Sequence, residues 1–283
     1  MRGSRFIRWL LNMEVAEQPP ASVVPAHLQQ VAGELAWRCN ICGTMNCCLA
    51  GTMDRETGDC MHCGAVMRYR SIVAVLTERL FGKVQILAEI APSPQFTGVG
   101  MSDDDRYANL LAEKFSYTNT FYHCEPLLDI TRPSPRWLGV NDFVITSDVF
   151  EHVPPPIQQS FDNLFSLLKP GGVVVFSVPF NLEAATREHY PNLHDFRIVQ
   201  EESGDWVLHN VTKAGVSEEF RNLLFHGGPG STLELRVFCR AALERHLLDA
   251  GFTDLRLHSE SRFEHGIFWL HPFSLMVSAR RPG

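Results

Sequence analysis

The chain has 283 residues, 45% of them hydrophobic, with 25 Lys and Arg against 32 Asp and Glu and a formal net charge of −7. That length suits one large domain with a small appendage, and the apolar share supports a packed core and excludes wholesale disorder. A nucleic-acid binder shows a basic surplus that is missing here, and no run of about 18 apolar residues suggests a membrane span.

The chain opens on MRGSRFIRWLL, which is too short and too interrupted by Arg for a secretory signal and reads as a short amphipathic helix or a loose end. Glu17 to Pro25 holds three prolines and reads as a linker. Residues 1–36 are therefore taken as an N-terminal extension, and a cytoplasmic location is expected.

Next come two cysteine pairs, Cys39-x2-Cys42 and Cys60-x2-Cys63, separated by 17 residues. Zinc needs four soft donors in a tetrahedron, and two such knuckles supply them. Gly43 and Gly64 follow the second Cys of each pair, where a knuckle turns tightly. A reducing cytosol disfavours two disulfides, and neither pair opens a helix after a strand, as a redox dithiol would require. The expectation is a structural zinc ribbon over residues 37–68, folded by its metal. Cys47 and Cys48 are spare, and the apolar surroundings of Cys124 and Cys239 predict burial.

Residues 69–94 read as a connecting helical segment. Ile72, Val73, Val75, Leu76 and Leu80 share one face of a helix from Tyr69 to Phe81. Val84 to Ile90 fits either an extra helix or a competing first strand.

From about residue 95 short apolar strands alternate with amphipathic helices, which predicts an α/β domain over residues 95–283 with a mainly parallel sheet. The strands read as Phe96 to Gly100, Thr120 to His123, Asp142 to Thr146, Val173 to Val178, Leu255 to His258 and Phe273 to Ala279. Helices read as Arg106 to Phe115, a segment from Ile157 to Leu168 and Ala241 to Ala250. Lys169-Pro-Gly-Gly172 stops the second of these. Ser203-Gly204-Asp205 marks a hairpin between two alternating runs.

Three segments carry chemistry. Gly98 and Gly100 lie between a strand and a helix, where glycine lets a ligand approach the backbone and the helix start offers free N–H groups. Glu125, near the tip of the next strand, is placed to accept from both hydroxyls of a ribose. Asp129 either accepts from an adenine amino group or caps a turn. The strand Asp142 to Thr146 runs into Ser147-Asp-Val-Phe-Glu-His-Val153, then a helix, then Leu168-Lys-Pro-Gly-Gly172 and a hydrophobic strand.

On those last two elements the chain resembles the class I S-adenosylmethionine (SAM)-dependent methyltransferases of the type 11 subgroup, over roughly residues 95–283. Asp148 to Val153 matches the family's D-x-x-E-H-V element and Leu168 to Gly172 its L-K-P-G-G. The cysteine ribbon and Arg-x-Arg helix resemble a bacterial subset with an N-terminal zinc ribbon, associated with glycan or small-metabolite modification. The resemblance implies a Rossmann-like, seven-stranded, mainly parallel sheet with flanking helices. It also implies that Gly98 and Gly100 face the methionine part of SAM, with Asp103 near its amino group. Glu125 would hold the ribose, Asp129 and Ile130 would border the adenine, and Asp148 would sit beside the sulfonium. The first glycine motif is shorter and less glycine-rich than the family's.

Methyl transfer is an in-line displacement, so alignment and exclusion of water dominate, and an oxygen or nitrogen acceptor needs a base within reach. His152, His194 and His226 are the candidate catalytic residues, with His189 in the same polar region. Asp148, Glu151 and His152 also have the spacing of an acid-x-x-acid-His metal cluster. Pro154 to Pro156 add no ligand, and capping and packing is the reading taken for them. The expected activity is methylation of a small molecule or sugar, most plausibly at oxygen. The alternatives are an RNA methyltransferase gripping RNA through its ribbon, and a non-catalytic SAM-binding scaffold. Oligomeric state is not legible.

Overall fold

The computed structural model describes residues 34–49, 53–269 and 274–283. The expected N-terminal helix and the proline linker lie outside the described residues. The ribbon begins with β1 (Glu34–Arg38) and β2 (Met45–Leu49), paired antiparallel around the first knuckle. Helix α1 (Met67–Phe81) follows and ends at Gly82, whose φ of 75° is the left-handed cap that glycine accepts. The sequence shows one apolar stripe, yet α1 is buried on nearly all sides. The ribbon covers one side and the central sheet the other, so Arg70, Ser71 and Thr77 are buried as well.

Arg70 ties these layers together. Its guanidinium stacks on Trp37 at 4.1 Å and donates to the carbonyls of Gly58, Ala65, His265 and Gly266. Those four carbonyls belong to the ribbon and to the C-terminal region, so one side chain spans both. Leu87–Glu89 forms a single 3-10 turn, which settles the ambiguous stretch after α1.

The central sheet uses β3 (Thr97–Met101), β4 (Ser116–Thr120), β5 (Asn141–Ser147) and β6 (Leu168–Ser177). Helix α2 (Asp105–Lys114) joins β3 to β4, and α3 (Ile157–Leu167) joins β5 to β6. The chain then leaves the sheet and forms β7 (Asp195–Gln200), β8 (Trp206–Val211), β9 (Ser217–Phe220) and β10 (Arg236–Cys239). It returns through α4 (Arg240–Asp249) to β11 (Thr253–His258) and β12 (Met276–Arg280). The sheet order is β11-β12-β6-β5-β3-β4, with β3 to β6 mutually parallel and β12 antiparallel to both its neighbours. Val99, Phe143, Val144, Ile145 and Val173 to Phe176 fill its centre.

Four expectations need correction. Among the described residues the sheet has six strands, not seven. Between β4 and β5, Pro126, Pro133 and Pro135 remove donors, and residues 121–140 form an isolated Phe121–Leu127 bridge and no strand. The strand expected at Thr120 to His123 lies earlier, at Ser116–Thr120, in register with Thr97–Met101. Its Ser-Tyr-Thr-Asn-Thr sequence hides it from an apolar pattern. Third, Lys169 to Gly172 does not simply terminate α3. It is the irregular entry of β6, with a register shift opposite Asn141–Phe143 and Gly171 at φ 79°. Cys239 is buried as expected, but Cys124 is exposed.

The excursion between β6 and β10 has its own small core of Tyr190, Leu193, Leu208, Leu233 and Leu235 under the three-stranded β9-β8-β7 sheet. A short hairpin pairs Phe225 with Leu233 and His226 with Thr232. Buried Arg236 donates to the carbonyls of Phe150 and Val153 and pairs with Glu188, fixing this excursion to the turn after β5.

Candidate functional site

The four ribbon cysteines meet as the spacing predicts, with their sulfurs within 4.8 Å of one another. Cys39 and Cys63 lie 3.8 Å apart and Cys42 and Cys60 3.5 Å apart. A zinc tetrahedron with bonds of about 2.3 Å has edges of about 3.8 Å, so the donor set fits that ion. Gly43 and Gly64 take φ of 82° and 68°, the left-handed turn each knuckle needs.

The ribbon also reaches the far end of β5. Arg55 donates from both terminal nitrogens to the two oxygens of Asp148, at 2.9 and 2.6 Å, and Arg68 lies 3.5 Å from the same carboxylate. Glu56 braces both guanidiniums, and Arg68 donates to Ser147 Oγ. The two cations hold the Asp148 carboxyl down at about 2, against the burial that opposes it. Asp148 (φ 56°) and Ser102 (φ 59°) both sit in the left-handed region, immediately after β5 and β3. Non-glycine residues rarely adopt that conformation, and such strain collects at functional sites. Arg55 and Glu56 were invisible as site residues in the sequence. Only the D-x-x-E-H element pointed at the Asp148 carboxylate they hold.

Beyond Asp148 the chain makes a 3-10 turn, Phe150–His152. It turns Glu151 inward, where both carboxylate oxygens are buried with no hydrogen-bond partner. Burial, with the Asp148 charge nearby, pushes the Glu151 carboxyl well up. The next residue, His152, bonds through Nδ1 to the carbonyl of Leu233 at 2.8 Å, and burial lowers its imidazole to about 4. Its Nε2 faces His226 Nδ1 at 3.1 Å. His226 in turn bonds through Nε2 to Glu234 at 2.7 Å, and Glu234 also takes His189 at 2.8 Å. The hairpin that carries His226 and Glu234 thus closes over the turn that carries Glu151 and His152. His194, by contrast, is exposed, and only its backbone N–H is engaged, by Asn210.

The residues expected around SAM fall within β3 and in the segments that follow β3, β4 and β5, with different local roles. Gly98 and Gly100 lie inside β3 rather than in the loop after it. A Cβ on Gly98 would fall about 2.1 Å from the Phe143 ring, and one on Gly100 within 2.1 Å of Tyr117 Oη and Asp103 Oδ2. Close packing accounts for both glycines. Asp103 is buried and accepts from Tyr117 Oη at 2.5 Å, and burial raises it to about 6. Its Oδ1 is buried without a hydrogen-bond partner. Glu125 is exposed, and its Oε2 accepts from Leu127 N–H and from Arg136. Asp129 accepts from the N–H and hydroxyl of Thr131, the turn-capping alternative. Ile130 is buried, with its carbonyl held by Asn163.

A family model described as a methyltransferase domain matches residues 85–274, which is 190 of the 283 residues. Comparison with curated proteins finds no match. Among solved structures, the chain is similar to the Burkholderia thailandensis 1,6-didemethyltoxoflavin-N1-methyltransferase bound to 1,6-didemethyltoxoflavin and S-adenosylhomocysteine. They share 12% identity at a TM-score of 0.41, over 77% of this chain and 78% of that one. It is also similar to the CurJ carbon methyltransferase, at 12% identity and a TM-score of 0.46, over 77% of this chain and 56% of that one. A third is Haemonchus contortus phosphoethanolamine N-methyltransferase 2 in complex with SAM, at 13% identity and a TM-score of 0.38, over 68% of this chain and 39% of that one. The matched region thus spans little more than half of the second and well under half of the third. Among the described residues no helix is long and apolar enough to cross a membrane.

Proposed function

The chain belongs to the methyltransferase domain family and is a SAM-dependent methyltransferase; on that premise we propose that it methylates a hydroxyl oxygen of a small molecule or sugar. The observation that carries this reading is the pair of imidazoles, His152 and His226, 3.1 Å apart beside the buried Glu151, with Glu151 and His152 four and five residues past the end of β5. A hydroxyl acceptor must lose a proton as its oxygen attacks carbon, and two imidazoles with two carboxylates provide for that loss. His194 has no place in the cluster.

SAM, when bound, supplies a methyl group made electrophilic by the sulfonium. Glu125 keeps Oε1 outside its bonds to Leu127 and Arg136, which suits it to a ribose hydroxyl. Asp129 and Ile130 border the adenine side, and Gly98, Gly100 and Asp103 set the path of the chain under the methionine side. Asp148 contributes a fixed charge already balanced by Arg55 and Arg68. The ribbon therefore builds one wall of the mouth as well as stabilising the N-terminal region. The test is to incubate the zinc-loaded chain with SAM and a panel of hydroxyl, amine and carbon acceptors, then assign the product by mass spectrometry and NMR. A methyl ether is expected. An N-methyl or C-methyl product would overturn the oxygen assignment and leave the family intact.

A further inference from the structure

A second cluster of metal-ligating side chains lies well away in sequence from the four cysteines. Glu151, His152 and His226 place one donor atom each within 4.8 Å of the others. His152 Nε2 and His226 Nδ1 are 3.1 Å apart, and Glu151 Oε1 is 3.6 Å from the first and 3.8 Å from the second. Ligand bonds of about 2.0–2.2 Å place neighbouring donors roughly 3.0–3.6 Å apart, so the triangle closes around a cation with shifts of a few tenths of an ångström.

The outer contacts set which atoms face inward. His152 donates its Nδ1 proton to the carbonyl of Leu233, and His226 gives its Nε2 proton to Glu234. Nε2 of His152 and Nδ1 of His226 therefore face each other and Glu151. The two Glu151 oxygens are buried with no hydrogen-bond partner, at a cost that a cation relieves. Glu234–His226 and the Leu233 carbonyl–His152 contact are the outer supports that fix ring orientation in metal sites. Glu234 is itself held by His189. Asp148 has no such role: Arg55 occupies both its oxygens.

We propose that Glu151, His152 and His226 form a divalent metal site of the first-row transition type, with its remaining positions open toward the methyl-transfer mouth. Two imidazoles and one carboxylate on one side of the ion select that class over calcium or magnesium, which take all-oxygen shells. The two histidine side chains keep 13% and 16% of their surface exposed, which leaves a way in for an oxygen ligand. An acceptor hydroxyl bound there would be acidified; with both facing ring nitrogens on the cation, the imidazoles would act through the metal, and the proton would leave to water at this rim. That role for the metal rests on the proposed O-methylation; the metal site does not.

The test uses the full chain with its ribbon loaded with zinc, dialysed and titrated with Mn2+, whose free signal is followed by electron paramagnetic resonance. Thiolates of the zinc-filled ribbon do not compete for this ion. One Mn2+ per chain is expected, with nitrogen hyperfine coupling from two imidazoles. His226→Gln should weaken binding at least tenfold and remove one nitrogen coupling. Glu151→Gln should do the same without the loss of nitrogen, and Glu234→Gln should cost about tenfold to a hundredfold. Retention of ribbon zinc in each variant reports that it is folded, and His226→Gln, on a surface hairpin, serves if the buried Glu151 variant is not. Absence of Mn2+ uptake at millimolar concentration, the result if a shared proton bridges the two rings, overturns the site. So does uptake unchanged in His226→Gln. Mn2+ bound at this site together with a product methylated on nitrogen or carbon would retain the metal and overturn only its link to a hydroxyl acceptor.

Discussion

Replacing Arg55 by Gln tests whether the ribbon is wired to the mouth. The substitution removes the bidentate partner of Asp148 and leaves only Arg68, at 3.5 Å. Asp148 is lowered from 3.8 to about 2 in the folded protein. At 1.36 kcal/mol per pKa unit that shift is worth about 2 kcal/mol, shared between Arg55 and Arg68. Both side chains keep less than a fifth of their surface exposed, so solvent screening discounts this little. Because an uncompensated carboxylate would remain part-buried, a loss of about 2–3 kcal/mol is expected near neutral pH. The sign follows from linkage: the folded pKa lies below the unfolded one, so the stabilisation is complete above about pH 4 and disappears as pH falls toward 2. Urea unfolding followed by tryptophan fluorescence should show a wide gap between wild type and Arg55→Gln near neutral pH. That gap should narrow at about pH 3 and close near 2. A gap under about 0.5 kcal/mol, or one independent of pH, would refute the coupling.

Other consequences are as direct. Metal analysis of the purified chain should find one ribbon zinc, and Cys60→Ser should remove it and lower the melting temperature; a folded wild type with free thiols and no zinc contradicts the site. Gly98→Ala pushes a methyl into the Phe143 ring. It should destabilise the protein by about 1–3 kcal/mol in thermal melts, and an unchanged melting temperature would show that β3 yields. Glu125 is exposed and outside the core. Glu125→Ala should therefore weaken SAM binding without moving the unfolding midpoint, and unchanged affinity would remove it from the ribose.

Much of this was legible in the sequence because the signals were local. Fixed cysteine spacing gave the cluster of four cysteines, and the apolar alternation gave α1, β5, β6 and the return through α4 to β12. The D-x-x-E-H element marked the turn that carries Glu151 and His152. What stayed hidden depends on contacts between distant segments. Arg55 is 93 residues from Asp148, and no periodicity announces that pairing. His226 is 74 residues from His152, so no local spacing announces that pairing, and Asp148, which the acid-x-x-acid-His spacing groups with His152, is bound by Arg55 instead. Polar β4 lacked an apolar pattern, and the proline-rich stretch after it could not form the seventh strand. The two glycines of β3 have the look of a ligand turn in sequence, yet their missing side chains make room for Phe143, Tyr117 and Asp103. A glycine that clears space for a ring looks the same in sequence as one that clears space for a ligand.

The central claim is that this chain binds SAM and transfers its methyl group. Calorimetric titration of the zinc-loaded full chain with SAM, and with S-adenosylhomocysteine as the product, tests it most directly. Saturable binding of one molecule per chain is predicted, weakened by Glu125→Ala in protein that remains folded. Folded, zinc-loaded protein that binds neither molecule, by heat or by equilibrium dialysis, would contradict the account.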